Sequence, residues 1–166
     1  MDFNFDNFFN YSDIINKYQY QCPVDIISMA KELELELYNV NTSENISGAI
    51  LKDKSGKYII YVKSSDSKNR KRFTIAHEIS HFLLHKNIID KGSITDNTMY
   101  RSNLSNIYEK QANKLASEIL IPIKKLKEFL FKHNIRNINS LASLFEVSKE
   151  SMEIRIKEGG NMFIKE

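Results

Sequence analysis

The sequence predicts a small α+β domain in which a short β-sheet packs on one long buried helix and a helical C-terminal part follows. Three observations predict it. Residues 48–52 and 57–62 are rich in apolar side chains and flank a turn-rich segment at 53–56, as in a β-hairpin. Residues 72–85 carry the apolar side chains of a largely buried helix. Beyond Pro122, helical patterns recur at about 124–132, 140–145 and 149–157.

Length and composition indicate a single domain. A chain of 166 residues, 42% of them hydrophobic, can bury one core. We expect an N-terminal arm at 1–22, the core at 23–122 and C-terminal helices at 123–158. The net charge of +3 supports no claim about nucleic acid or membranes, and a single cysteine, Cys22, fits a reducing compartment. No secretion signal or membrane-length apolar run is evident, so we expect a cytoplasmic protein that does not bind a membrane.

The elements before the hairpin follow from local patterns. The aromatic-rich arm could pack onto the domain or offer a docking surface to a partner, and a short helix is expected at 13–18 with Ser12 as its cap. Pro23 is expected to open a helix that runs to about Leu33. Residues 35–40 alternate apolar and polar side chains, which predicts a strand.

The long helix contains a metal-binding motif. His77, Glu78 and His81 form H-E-x-x-H, which places two imidazoles about 6 Å apart along a helix axis and roughly 40° apart around it. Both imidazoles can therefore reach one ion, and zinc suits them because three protein ligands leave a fourth position for water. Glu78 could take a proton from that water as general base. The motif alone also occurs by chance, as an ordinary surface or core feature.

The third ligand must come from elsewhere in the chain. His85 lies about 12 Å along the axis from His77, too far to share the ion, and we interpret it as a helix-end residue near the C-terminal dipole. A second helical stretch at 108–122 contains Glu109, whose carboxylate could complete the site. Asn113, one turn later, could accept a hydrogen bond from the far nitrogen of a ligating histidine and fix its tautomer.

Two stretches carry a family resemblance: Arg72-Phe-Thr-Ile-Ala-His-Glu-Ile-Ser-His-Phe-Leu-Leu-His85 and Glu109-Lys-Gln-Ala-Asn-Lys-Leu-Ala-Ser-Glu-Ile-Leu-Ile-Pro122. Together they resemble the ImmA/IrrE family of metallopeptidases, whose members are bacterial or carried on phages and other mobile elements. The resemblance extends over about 26–157, and the Glu-to-Asn spacing is similar to the E-x-x-x-D helix of gluzincins. Three residues depart from those common in the family, which are glycine, glutamate and phenylalanine: Ser80, Gln111 and Leu115.

The resemblance implies a zincin-like fold with a zinc peptidase site. It makes His77, His81 and Glu109 the ligands and Glu78 the catalytic residue, while manganese and iron are alternatives to zinc. The Gln111 departure leaves Glu109 the obvious carboxylate, and Glu118 is the alternative. The implied substrate is a protein, such as a helix-turn-helix repressor of a mobile element or a stress response. In zincins an edge strand binds the substrate backbone, and the predicted hairpin is either that strand or an ordinary sheet edge.

The segment at 87–106 has the composition of a long loop between the two site helices. Within it, Tyr100 or Arg101 could stabilise the oxyanion that develops during hydrolysis, although a plain loop role is open for both.

Two other functions remain open. One is a non-catalytic antirepressor or sensor that acts by protein contact, and the other is a DNA-binding regulator. Residues 141–148 resemble the opening of a helix-turn-helix, but 149–158 is charge-balanced and lacks a basic footprint. Nucleic acid is therefore not the expected partner.

Overall fold

The fold consists of seven α-helices and three strands within the residues that the structure, a computed structural model, describes: 5–43, 45–91 and 103–159. In chain order they are α1 (Phe5–Tyr18), α2 (Ile26–Glu32), β1 (Leu35–Val40), β2 (Gly48–Lys52), β3 (Tyr58–Lys63), α3 (Lys68–Ile89), α4 (Asn103–Leu120), α5 (Ile123–Lys127), α6 (Ile138–Phe145) and α7 (Lys149–Gly159). A π-helical turn, Glu128–Lys132, continues α5. The predicted α+β class is confirmed.

The strands form one mixed sheet in the order β1-β3-β2. The central strand β3 pairs parallel with β1, where Leu35 is opposite Tyr58, and antiparallel with β2, where Ile50 is opposite Ile60. The predicted hairpin is therefore formed by β2 and β3. Its turn is closed by the Asp53 carboxylate, which accepts hydrogen bonds from the main-chain N–H groups of its loop. Among the described residues only β3 pairs with β2, so β2 is an edge strand.

The core lies between the sheet, α3 and α4. Ile50 and Ile60 of the sheet are fully buried, as is Ile79 of α3. On α4, the fully buried side chains include Ile119 and Leu120. Because α3 packs on both the sheet and α4, it has few exposed faces, and the prediction that it is largely buried is confirmed. Five polar side chains of α3 are also buried: Thr74, Glu78, Ser80, His81 and His85.

Three predicted helix starts were wrong. Helix α1 begins at Phe5 rather than at Asp13, and its C-terminal half packs against the core through Ile15. Helix α2 begins at Ile26 because the Asp25 side chain caps it by accepting a hydrogen bond from the Ser28 N–H at 3.0 Å.

Helix α6 likewise starts two residues early, at Ile138, because the Asn137 side chain caps it by accepting from the Ser140 N–H. Aspartate and asparagine are preferred N-cap residues, so a local signal for both starts was present in the sequence.

The C-terminal helices close the core, as predicted. Leu141 and Phe145 of α6 and Met152 of α7 are fully buried. Arg155 of α7 is also buried, and its Nε donates to the Ile121 carbonyl oxygen at 3.1 Å, beyond the last residue of α4. None of the helices in the described residues has both the length and the apolar content to span a bilayer.

Candidate metal centre

Helices α3 and α4 bring three metal-ligating side chains together. His77 and His81, one turn apart on α3, place their Nε2 atoms 3.0 Å from each other. The Glu109 carboxylate of α4 lies 3.2 Å from each imidazole, with Oε2 near His77 and Oε1 near His81. One ligand atom from each of the three residues lies within 4.8 Å of the others. His77 and His81 precede Glu109 by about a fifth of the chain, yet the three side chains meet at one site.

The donor set fits a zinc ion. In a tetrahedral site with bonds of about 2.0–2.2 Å, neighbouring ligand atoms are about 3.4 Å apart, close to the observed separations. The far nitrogen of His77, Nδ1, lies 3.0 Å from Oδ1 of Asn113 and must donate to it. A neutral His77 therefore directs a lone pair from Nε2 toward the carboxylate of Glu109. Converging lone pairs and carboxylate oxygens repel one another unless a positive charge lies between them.

The pKa shifts of the three ligand residues also bear on whether a positive charge is favoured at this site. A hydrogen bond from His77 and the nearby imidazole of His81 hold the pKa of Glu109 well below its usual range. Burial disfavours the charged form of His77, but hydrogen bonding to Glu109 and the charge of Glu78 outweigh it and raise the pKa of His77. Burial lowers the pKa of His81. The raised pKa of His77 and the lowered pKa of Glu109 both favour a positive charge beside the Glu109 carboxylate.

His81 is oriented by a neighbour on its own helix. Its Nδ1 lies 3.0 Å from Nδ1 of His85, whose Nε2 lies 2.9 Å from Oε1 of Gln111 on α4. Burial lowers the pKa of His85 to about 4, so this imidazole is neutral. The far nitrogen of each ligand histidine thus contacts a side chain that can set its tautomer.

Glu78 lies beside the ligand group with its carboxylate buried. Its exposed fraction is 7%, and burial raises its pKa to about 7. The start of β2 lies directly over it at Gly48. A Cβ atom on Gly48 would be 2.3 Å from Thr74 Cγ2, 2.8 Å from the Tyr61 carbonyl oxygen and 3.6 Å from Glu78 Oε1. Glycine therefore allows the edge strand to approach the helix at the position of the carboxylate.

The ligand group opens into a groove of about 1300 Å³. Its walls are the segment leading into β2, the first half of α3, α4 and α7. One lining residue from each wall, in the same order, is Ile46, Phe73, Asn113 and Ile154. The groove is also lined by His77 and Glu78.

The comparisons with known proteins agree with this geometry. The family model described as the IrrE N-terminal-like domain, Peptidase_M78, matches residues 31–157. The chain belongs to the M78 peptidase family. Its His-His-Glu group is one that could hold a metal ion, and the predicted family resemblance is confirmed. No curated protein matches this chain.

A solved structure shares its fold. This chain is similar to a "Mycobacterium tuberculosis transcriptional regulator" with a TM-score of 0.62 and 15% sequence identity. The match covers 93% of this chain and 47% of that one, so this chain spans about half the length of the regulator it matches. At this identity the likeness concerns the fold alone.

The structure places most of the predicted site residues together. His77, Glu78, His81, Glu109 and Asn113 all lie at the centre. The alternative carboxylate, Glu118, does not. It lies about two and a half turns beyond Glu109, near the C-terminal end of α4, where it is 3.8 Å from Arg155. The possible oxyanion stabilisers Tyr100 and Arg101 lie outside the described residues.

The interpretation of His85 as a helix-end residue was right for the backbone and incomplete for the side chain. The regular helix is interrupted at His85, whose backbone angles are non-helical (φ −127°, ψ 25°), and a second helical segment continues α3 to Ile89. The His85 side chain contacts His81 and Gln111. One sequence signal was available, since His85 follows His81 by four residues and therefore shares its helix face.

Proposed function

We propose that this chain is a zinc-dependent peptidase that hydrolyses a peptide bond in a protein substrate, with Glu78 as general base. The convergence of two imidazole nitrogens and a carboxylate beside a second, buried carboxylate carries the proposal. Zinc held by His77, His81 and Glu109 would supply a Lewis acid that polarises the scissile carbonyl and lowers the pKa of water.

The remaining steps belong to the chain's own residues. Glu78 accepts a proton from the attacking water as its oxygen bonds to the carbonyl carbon, and then donates that proton to the leaving amide nitrogen as the C–N bond breaks. Burial raises the pKa of Glu78, which makes it a stronger base toward the water proton than an exposed carboxylate. Asn113, 3.0 Å from His77, would hold that ligand in the tautomer whose Nε2 is free.

An extended peptide suits the groove. Its volume of about 1300 Å³ exceeds the roughly 300–1,000 Å³ of small-molecule pockets. The edge strand β2 starts at Gly48, in the lining of the groove and over Glu78. A substrate that paired with β2 would therefore cross the catalytic carboxylate, with its main chain held by hydrogen bonds and its side chains selected only weakly.

The substrate that we propose is a helix-turn-helix repressor of a mobile element or a stress response. This choice rests on the family resemblance alone. The repressor encoded nearest to this chain's own gene is the first protein to test.

The test is incubation of the zinc-loaded protein with that repressor, followed by mass spectrometry of the products. We expect two fragments from a single cut, and no fragments after chelation or with Glu78→Gln. The matched variant Glu78→Gln preserves side-chain size and all three ligands, so it should bind zinc while losing the base.

The rival function is that of a non-catalytic antirepressor, which would relieve repression by contact. It predicts that Glu78→Gln retains full activity in cells, measured with a reporter under the repressor's promoter. That result, with an intact repressor, would exclude hydrolysis as the function. A wild-type protein that binds no zinc would exclude the metal centre as well.

A further inference from the structure

His85 is a buried histidine outside the ligand group, and side chains engage both of its ring nitrogens. Its Nδ1 is 3.0 Å from Nδ1 of His81, and its Nε2 is 2.9 Å from Oε1 of Gln111. The ring of Tyr108 packs against the imidazole with centroids 4.8 Å apart, which restricts its rotation. A chain of polar groups thus begins on α4, passes through His85 and ends on an imidazole of the metal centre.

The chemistry of these groups fixes the order of protons along the chain. The Gln111 oxygen can only accept, so His85 carries its proton on Nε2. A neutral imidazole has one N–H, so Nδ1 of His85 accepts a hydrogen bond from Nδ1 of His81. His81 then has no proton on Nε2, the atom 3.2 Å from Glu109. Its lone pair is directed at the site where an ion would bind.

The opposite order is incompatible with metal binding. If the Gln111 amide nitrogen faced the ring instead, it would donate, and His85 would carry its proton on Nδ1. His81 would have to accept that hydrogen bond and carry its own proton on Nε2, which removes the lone pair that a metal needs. A doubly protonated His85 would have the same effect. His81 can therefore bind a metal ion only when its own proton is on Nδ1 and that of His85 is on Nε2.

The two ligand histidines are served in parallel ways. Asn113 accepts directly from His77 at 3.0 Å, because it follows Glu109 by four residues and shares its face of α4. Gln111 is two residues from Asn113, about 200° around the helix, and His81 is the deeper ligand with 2% of its side chain exposed against 16% for His77. The imidazole of His85 spans the distance between Gln111 and His81.

We propose that His85 and Gln111 are positioning residues of the zinc site, with Gln111 as the terminal acceptor that fixes the tautomer of His81 through His85. The proposal rests on the metal site of the proposed function and is independent of whether a peptide is cut. It assigns a metal-related role to two residues that bind no metal themselves.

Zinc affinity of matched variants, measured by competition with a chromogenic chelator, tests the proposal. His85→Leu and Gln111→Met remove the acceptors while retaining volume, and each should weaken zinc binding by about 10- to 100-fold. His85→Asn places an amide oxygen where Nδ1 was, and Gln111→Glu keeps a terminal acceptor. Both should bind zinc within a few-fold of wild type. A merely structural role predicts no such difference between the paired variants at either position.

A second measurement uses only the wild-type protein, in case a variant fails to fold. Long-range ¹H–¹⁵N correlation spectra of the metal-free protein distinguish the two imidazole tautomers. We expect His81 with its proton on Nδ1 and His85 with its proton on Nε2.

Three results would overturn the proposal. One is a proton on His81 Nε2 in the metal-free wild-type protein. Another is zinc affinity of wild-type strength in both His85→Leu and Gln111→Met while Glu109→Ala has lost it, which would leave the metal centre of the proposed function intact. The third is a wild-type protein that binds no zinc, which would remove the proposed function together with this inference.

Discussion

The chain contains two buried polar centres of opposite character. Arg155 of α7 is 6% exposed, and its guanidinium donates to the Ile121 carbonyl oxygen with Glu118 3.8 Å away. At the other centre, between α3 and α4, acceptors converge on a point between His77 and Glu109, and Glu78 is buried with a raised pKa. Arg155 finds its partners within the fold, whereas the metal centre requires a charge that the polypeptide does not supply.

The difference teaches how to distinguish structure from function among buried polar groups. A buried charge matched by its neighbours fixes the position of a helix, and its loss affects folding. Buried acceptors that face one another destabilise the empty fold and indicate a bound cation. Variants at the two centres should therefore change different measurable quantities.

Glu109→Ala should have the largest effect. Losing a direct ligand should weaken zinc binding by more than the roughly 10- to 100-fold typical of a lost outer-sphere partner. Isothermal titration with zinc measures it. The comparison sharpens if the metal-free variant still folds cooperatively, because the lost zinc affinity then comes from the missing ligand and not from a disrupted core. Near wild-type affinity in Glu109→Ala would contradict the assignment of this ligand.

Glu78→Gln should stabilise the metal-free protein above neutral pH. The folded-state pKa of about 7 exceeds the ordinary value of 4.5, so the contribution of Glu78 to stability is fully present below about pH 4.5 and is lost as the pH rises through 7. The difference between the two pKa values corresponds to about 3 kcal/mol of unfolding free energy above pH 7. Glutamine does not titrate and escapes this penalty.

Urea denaturation of metal-free wild type and Glu78→Gln at about pH 5 and about pH 8 measures the effect. The stability gap between the two proteins should be small at the lower pH and widen at the higher one. A gap that does not change with pH would mean that Glu78 is ionised without penalty in the fold, and would remove the contrast with Arg155.

The parts of this site that the sequence predicts are those that helix periodicity determines. The spacing of His77 and His81 follows from 3.6 residues per turn, and the same rule puts Asn113 on the face of Glu109. That α4 approaches α3 is a long-range fact, so the residues alone made Glu109 a candidate ligand and the family resemblance made it the expected one. The loop that contains Tyr100 and Arg101 lies outside the described residues, so their oxyanion role stays a prediction.

Two features could not be predicted from local sequence patterns because they depend on tertiary contacts. His85 meets Gln111 only because α3 and α4 pack side by side, and no local pattern specifies that pair. The early start of α1 depends on packing against the core, where Tyr11 lies against Phe82 with ring centroids 5.7 Å apart. Aromatic residues have modest helix propensity, so the length predicted for α1 from its sequence was too short. Tertiary contacts stabilise the longer helix.

Gly48→Ala should damage the metal centre through the strand above it. The new Cβ would overlap Thr74 Cγ2 and crowd the Tyr61 carbonyl oxygen, so β2 must move away from Glu78. We expect about 2 kcal/mol of lost stability and a clear loss of peptidase activity. Thr74→Ser deletes the overlapping methyl group and should recover part of both in the double variant. Additive effects of the two substitutions would show that Gly48 and Thr74 do not limit the approach of β2.

Arg155→Met should have the smallest effect and should affect only stability. The variant keeps much of the buried aliphatic volume but leaves the Ile121 carbonyl oxygen without its donor. The lost hydrogen bond is partly offset because no charged guanidinium has to be desolvated, and the net loss of stability is about 1 kcal/mol. Thermal unfolding of the metal-free protein measures this loss, and zinc titration should give the wild-type affinity. A fall in zinc affinity would break the comparison, because it would couple the far end of α4 to the centre at Glu109.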